Sequence, residues 1–106
     1  MYWSFETWGR MLNPLLHDGP AEAALMSDLQ KKVFKSICEA SNEGLRLWQV
    51  QKKVADTKVQ VQEALQGLLG VGYIGILSMG GGPKYHKIAS KAYILDALNA
   101  NDTEMR

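Results

Sequence analysis

The chain holds a single cysteine, Cys38, in 106 residues. One thiol has no partner within the chain, so a disulfide framework is excluded and a reducing, intracellular compartment is the natural setting. Cys38 stands beside Ile37 in an apolar stretch, the surroundings of an inert core thiol. No apolar run approaches the roughly 18 residues needed to cross a bilayer, so no membrane partner is expected. Met1 to Arg10 carry one arginine together with Glu6, which matches neither a secretory signal nor an arginine-rich transit peptide.

Catalytic and metal-binding signals are equally scarce. His17 sits in a loop flanked by proline and glycine and His86 lies far along the chain, with no Cys/His spacing suited to zinc. There is no Gly-x-Ser-x-Gly elbow and no pair of carboxylates in a matching strand context. Gly80-Gly81-Gly82-Pro83-Lys84 has the glycines of a phosphate loop but lacks the Gly-Lys-Ser/Thr ending and leads into a strand, which reads as a hairpin turn. No catalytic residue, metal or cofactor is expected.

What is present is enough for one compact core. A length of 106 residues with 46% hydrophobic content fits one domain. The net charge of +1 conceals an uneven distribution: from Ser27 to Lys91 ten basic residues face five acidic ones, while each flank carries a net charge of −2. A basic middle between acidic ends favours an anionic partner for the middle.

The chain divides into an arm, a domain and a tail. Residues 1–20 form an aromatic arm, with Tyr2, Trp3, Phe5 and Trp8 followed by Asn13-Pro14 and Asp18-Gly19-Pro20, which break any long helix before Ala21. The aromatics are expected to lie back on the domain's own core; the alternative is docking to a protein partner. Residues 21–100 form the domain and 101–106 a polar, frayed tail.

Within the domain, Leu25, Leu29, Val33, Ile37 and Ser41 recur every fourth position, and Ser27 with Gln30 forms a capping box for a first helix. Asn42-Glu43-Gly44 ends it, with Gly44 free to take positive φ. Leu45-Arg46-Leu47 reads as a short strand and Trp48 to Val54 as a second helix, with Val50 and Val54 inward. A third helix starts at a second capping box, Thr57 with Gln60, and buries Val61, Ala64, Leu65, Leu68 and Leu69. Gly70 and Gly72 stop it. Strands Tyr73 to Ser78 and Lys84 to Ile88 flank the turn Gly80 to Pro83, and a last helix spans Lys91 to Leu98, capped by Ser90. The expected core is Leu29, Val33, Ile37, Val61, Leu65, Leu68, Ile74 and Ile88. This order is that of an α+β winged helix-turn-helix, three helices plus a small β-wing, with an extra C-terminal helix.

The polar face of the third helix carries the functional signal. Lys58, Gln62 and Gln66 are spaced four apart and share one side, opposite the leucines. Lysine neutralises phosphate, and glutamine can donate to phosphate oxygens or bond base edges. The same spacing also describes any solvated helix face. Lys84 and Lys87 in the wing weigh toward binding.

From Thr57 to Ile88 the chain resembles a Zα domain, the winged helix of double-stranded-RNA adenosine deaminases, innate-immune nucleic-acid sensors, poxviral antagonists and a kinetoplastid RNA-editing accessory protein. The family's third helix reads Lys, Asn and Tyr at intervals of four; here Lys58, Gln62 and Gln66 occupy those positions. Its wing reads Pro-Pro-x-Trp-Lys-Ile, against Pro83-Lys84-Tyr85-His86-Lys87-Ile88. The resemblance implies a non-catalytic module that binds double-stranded or structured RNA, or a Z-prone duplex, through Lys58, Gln62, Gln66, Pro83, Lys84, His86 and Lys87. Gln66 cannot stack on a syn base as the family's tyrosine does, so backbone contacts and weak Z-form conversion are implied. The stretch from Lys32 to Leu45 is also similar to winged helices of an RNA polymerase III subunit, and Glu43-Gly44-Leu45 to the partner-binding winged helix of the single-stranded-DNA-binding replication protein. Those resemblances imply a protein-interaction role in an assembly.

Overall fold

The computed structural model describes residues 19–104. Residues 1–18 of the aromatic arm, His17 among them, and the last two residues lie outside the described residues. Among the described residues five α-helices and a two-stranded antiparallel sheet follow one another: α1 (Gly19–Ala24), α2 (Asp28–Glu39), α3 (Leu47–Val54), α4 (Lys58–Gly70), β1 (Ile74–Met79), β2 (Gly82–Lys87) and α5 (Ala92–Glu104). The α+β winged helix-turn-helix with an added C-terminal helix is the fold observed.

Helix α2 starts at the expected capping box. The Ser27 hydroxyl accepts from the Gln30 backbone at 3.1 Å, and the Gln30 side-chain oxygen accepts from the Ser27 N–H at 2.9 Å. Val33, Phe34 and Ile37 then fall on the buried face. The helix ends at Glu39, not at Asn42-Glu43-Gly44. Gly44 (φ 84°) instead serves the next connection, where an added Cβ would stand 2.5 Å from the Tyr85 carbonyl oxygen. That close approach lets Leu45 and Tyr85 exchange two backbone hydrogen bonds, of 2.8 and 2.7 Å, so the strand expected at Leu45-Arg46-Leu47 is a single bridge onto the wing.

Helix α4 realises half of its expected capping box. Thr57 accepts from the Gln60 N–H at 3.2 Å, but the Thr57 N–H donates to the adjacent Asp56 carboxylate at 2.7 Å. Its buried face is Val61, Ala64, Leu65 and Leu68. Gly72 (φ 81°) turns the chain out of the helix, and Tyr73 donates to the Leu68 carbonyl at 3.0 Å, satisfying a carbonyl the helix end leaves open.

The hairpin is tighter than its glycine count implies. The pairing runs from Ile74 opposite Lys87 to Met79 opposite Gly82, so the turn is Gly80-Gly81 alone and Gly82-Pro83 belong to β2. After β2, a 3₁₀ turn (Ala89–Lys91) leads into α5, so Ser90 lies inside that turn instead of capping the helix. Pro20 is the second residue of α1, where the missing N–H costs nothing, and does not bar a helix there.

Six of the eight expected core residues are buried: Val33, Ile37, Val61, Leu65, Leu68 and Ile74. Leu29 and Ile88 are half-buried at its edge, and Leu25 is 82% exposed in the link between α1 and α2. The rest of the core comes from Ala23, Met26, Phe34, Leu45, Val50, Val54, Ala64 and, in α5, Ile94 and Leu98. Tyr93 donates its hydroxyl to Glu22 at 2.6 Å, joining α5 to α1, and burial followed by this carboxylate pushes the phenol up to about 12.

Candidate nucleic-acid interface

Helix α4 leaves the turn after α3 with its polar side outward, so Lys58 and Gln62 stand on its first two turns, both exposed. They form one wall of a groove of about 480 Å³. Leu47, Trp48 and Gln51 of α3 and Gly81, Pro83 and Tyr85 of the wing line the rest of it. Trp48 is 61% exposed.

Arg46 also lines the groove and ties the wing to it. Its guanidinium donates to the carbonyl oxygens of Gly82 and Gly80, each at 3.1 Å. The two bonds fix the hairpin tip relative to α3 and leave the guanidinium's positive charge at the groove's edge. An added Cβ at Gly81 (φ 90°) would lie 3.2 Å from the same guanidinium, so the tip is fitted closely to it.

The structure brings Lys58, Gln62 and Pro83 to this groove and leaves the other expected site residues outside its lining. Gln66 is one helical turn beyond Gln62 and exposed. In β2, side chains alternate between faces, and Pro83 and Tyr85 take the groove side. Lys84 and His86 take the other: Lys84 Nζ is 3.8 Å from Glu43, and the His86 ring lies over Gly75, with Nδ1 3.1 Å from the Lys87 carbonyl oxygen. Lys87 lies at the base of the wing beside Cys38, in a cavity of about 280 Å³. Burial pushes the Cys38 thiol up to about 11 against the opposing pull of Lys87, which keeps it protonated at neutral pH.

Sequence reasoning missed Arg46, Trp48, Gln51 and Tyr85. Arg46 reaches Gly80 and Gly82 across more than thirty residues of chain, which no local pattern reports. Trp48 was legible only as a large aromatic at a helix start. Among the described residues no group of three or more His, Cys, Asp or Glu could hold a metal ion, and no helix is long and apolar enough to cross a membrane.

No protein-family model and no curated protein matches the chain. Solved structures do. The Staphylococcus aureus multidrug-efflux regulator MepR superposes with a TM-score of 0.67 at 14% identity, covering 97% of this chain and 79% of its own. The chain has the winged-helix fold. A MepR mutant bound to an oligodeoxyribonucleotide gives 0.69 at 15% identity, covering 98% of this chain and 80% of that one. The Mycobacterium tuberculosis transcriptional regulator MosR in complex with DNA gives 0.59 at 15% identity, covering 94% of this chain and 78% of that one. These similarities extend the winged-helix resemblance to structures of bacterial transcription regulators.

Proposed function

We propose that this chain is a non-catalytic nucleic-acid-binding module that grips the phosphate backbone of a duplex between α4 and the wing. The observation that carries the reading is the shared groove of Lys58, Gln62 and Pro83, with Arg46 at its edge. Lys58 sits exposed at the first position of α4, where its ammonium can meet a phosphate. The exposed Lys52 and Lys53 at the end of α3 extend the positive surface beside it.

Duplex DNA is the ligand that the DNA-bound neighbours favour. Double-stranded or structured RNA, or a Z-prone duplex, is the ligand that the Zα pattern favours, and it draws support from Lys58, Gln62 and Pro83 sharing one groove. Gln66 supplies no ring for a syn base, so conversion to the Z form is weak in either case. A protein-interaction role in a transcription, replication or RNA-processing assembly is the competing class.

A binding panel tests the reading: B-form DNA, duplex RNA, single-stranded RNA and an alternating CG duplex, with circular dichroism on the last. Tight, salt-sensitive binding to a duplex is expected, with little inversion of the CG spectrum. Complete inversion at near-stoichiometric protein would overturn the backbone-only account. Absence of binding to every nucleic acid would overturn the function.

A further inference from the structure

An aromatic side chain as large as tryptophan usually hides most of its surface, because each ring buries a large apolar area. Trp48 does not: it is 61% exposed and lines the groove shared by α3, α4 and the wing. Its setting there is mixed in a specific way. Leu47 beside it is half-buried, the amides of Gln51 and Gln62 line the same groove, and Lys58 stands on the wall. The groove's volume of about 480 Å³ falls within the range of about 300–1,000 Å³ usual for ligand pockets.

Resting on the nucleic-acid reading, we propose that Trp48 is a stacking platform for a single unpaired nucleobase, so that the preferred ligand is a duplex carrying a bulged or frayed nucleotide. Three requirements of base capture meet here. The indole offers a π-face that any base can cover. Gln51 and Gln62 each present both a donor and an acceptor, which suits the edge of a base no longer paired. Lys58 and the guanidinium of Arg46 supply positive charge for the adjoining phosphates. A base inside an intact duplex is already stacked on both faces and cannot reach the indole, so the ligand must contain an unpaired one. Pro83 and Tyr85 of the wing line the same groove opposite the helices' residues.

The test uses the full chain and two labelled duplexes, identical except for one unpaired purine, made both as DNA and as RNA and read by fluorescence anisotropy. The native protein should bind the bulged duplex about tenfold or more tighter than the paired one, the size of a single base-aromatic stack. Trp48→Leu should bring the bulged duplex down to the affinity of the paired one, and Trp48→Phe should keep most of the preference. Melting curves of both variants should match the native chain, since the ring is exposed. Equal native affinity for the two duplexes, or a preference that survives Trp48→Leu, would overturn the stacking role while leaving the groove's backbone-binding function standing. Binding of neither duplex would overturn both.

Discussion

Arg46 holds Gly82: the guanidinium of the residue just before α3 donates at 3.1 Å to a carbonyl at the start of β2, 36 residues later in the chain. A second bond of 3.1 Å to Gly80 makes the contact two-pronged. The wing is therefore not a free hairpin hung on a helical domain. Its tip is referenced to α3, and α3 is packed against α4, so the two walls of the groove keep a fixed separation.

Replacing Arg46 should separate these roles. Arg46→Ala removes both bonds and should cost about 1–2 kcal/mol, below the full value for charged hydrogen bonds because the site is only partly buried. Backbone amide exchange at residues 80–82 should accelerate, and duplex affinity should fall more than stability does. Arg46→Lys, with one ammonium in place of a planar fork, should not restore the exchange protection. Unchanged exchange in Arg46→Ala would mean that the hairpin holds its position without the arginine.

Gly44 sits against Tyr85 with no room for a side chain. Gly44→Ala forces a Cβ to 2.5 Å from the Tyr85 carbonyl oxygen in a backbone region alanine disfavours. The expected loss is on the order of 1–3 kcal/mol, read by urea denaturation. A native-like midpoint would show that the Leu45 bridge shifts at little cost.

Leu65 on α4 is 1% exposed and points into the core. Leu65→Ala should cost about 2–5 kcal/mol through the cavity it leaves. Stability within error of the native chain would contradict the register of α4, and with it the outward placement of Lys58 and Gln62.

The Cys38 thiol ionises near 9.0 in ordinary surroundings and near 11 in the fold, because burial disfavours the thiolate. Between those pH values the unfolded chain has given up a proton that the native chain keeps, so the Cys38 contribution to stability is full below pH 9 and is lost as pH rises through 11. Cys38→Ser should flatten that part of the stability profile. At pH 7 the native thiol should react with alkylating reagents far more slowly than in denaturant. Equal rates would contradict its burial.

How much of this was readable from the chain follows from the range of the interactions. Helix α4 was readable because its signals are local: a cap at Thr57, leucines at helical spacing and a stop at Gly72. The same locality brought out Lys58 and Gln62. The wing was harder, since four consecutive residues from Gly80 to Pro83 favour a turn individually, yet cross-strand pairing absorbs Gly82 and Pro83 into β2. Ser90 was a fair cap on local grounds and was overridden by the 3₁₀ turn that swings α5 onto α1. Lys84 and His86 were placed in the site by position in the wing, but strand alternation turns them to the opposite face. Arg46 and Trp48 acquire their meaning only through tertiary neighbours, and no spacing rule reaches that far.

The measurement that bears most directly on the central claim is the salt dependence of duplex affinity in the native chain and in Lys58→Ala. Each neutralised phosphate contributes a slope of roughly −0.9 in log affinity against log salt on B-form DNA. The native chain should show a slope equivalent to several phosphates, and Lys58→Ala should lose about one of them while weakening binding evenly across sequences. A native slope near zero, or one that Lys58→Ala leaves untouched, would contradict the assignment of this groove to the phosphate backbone.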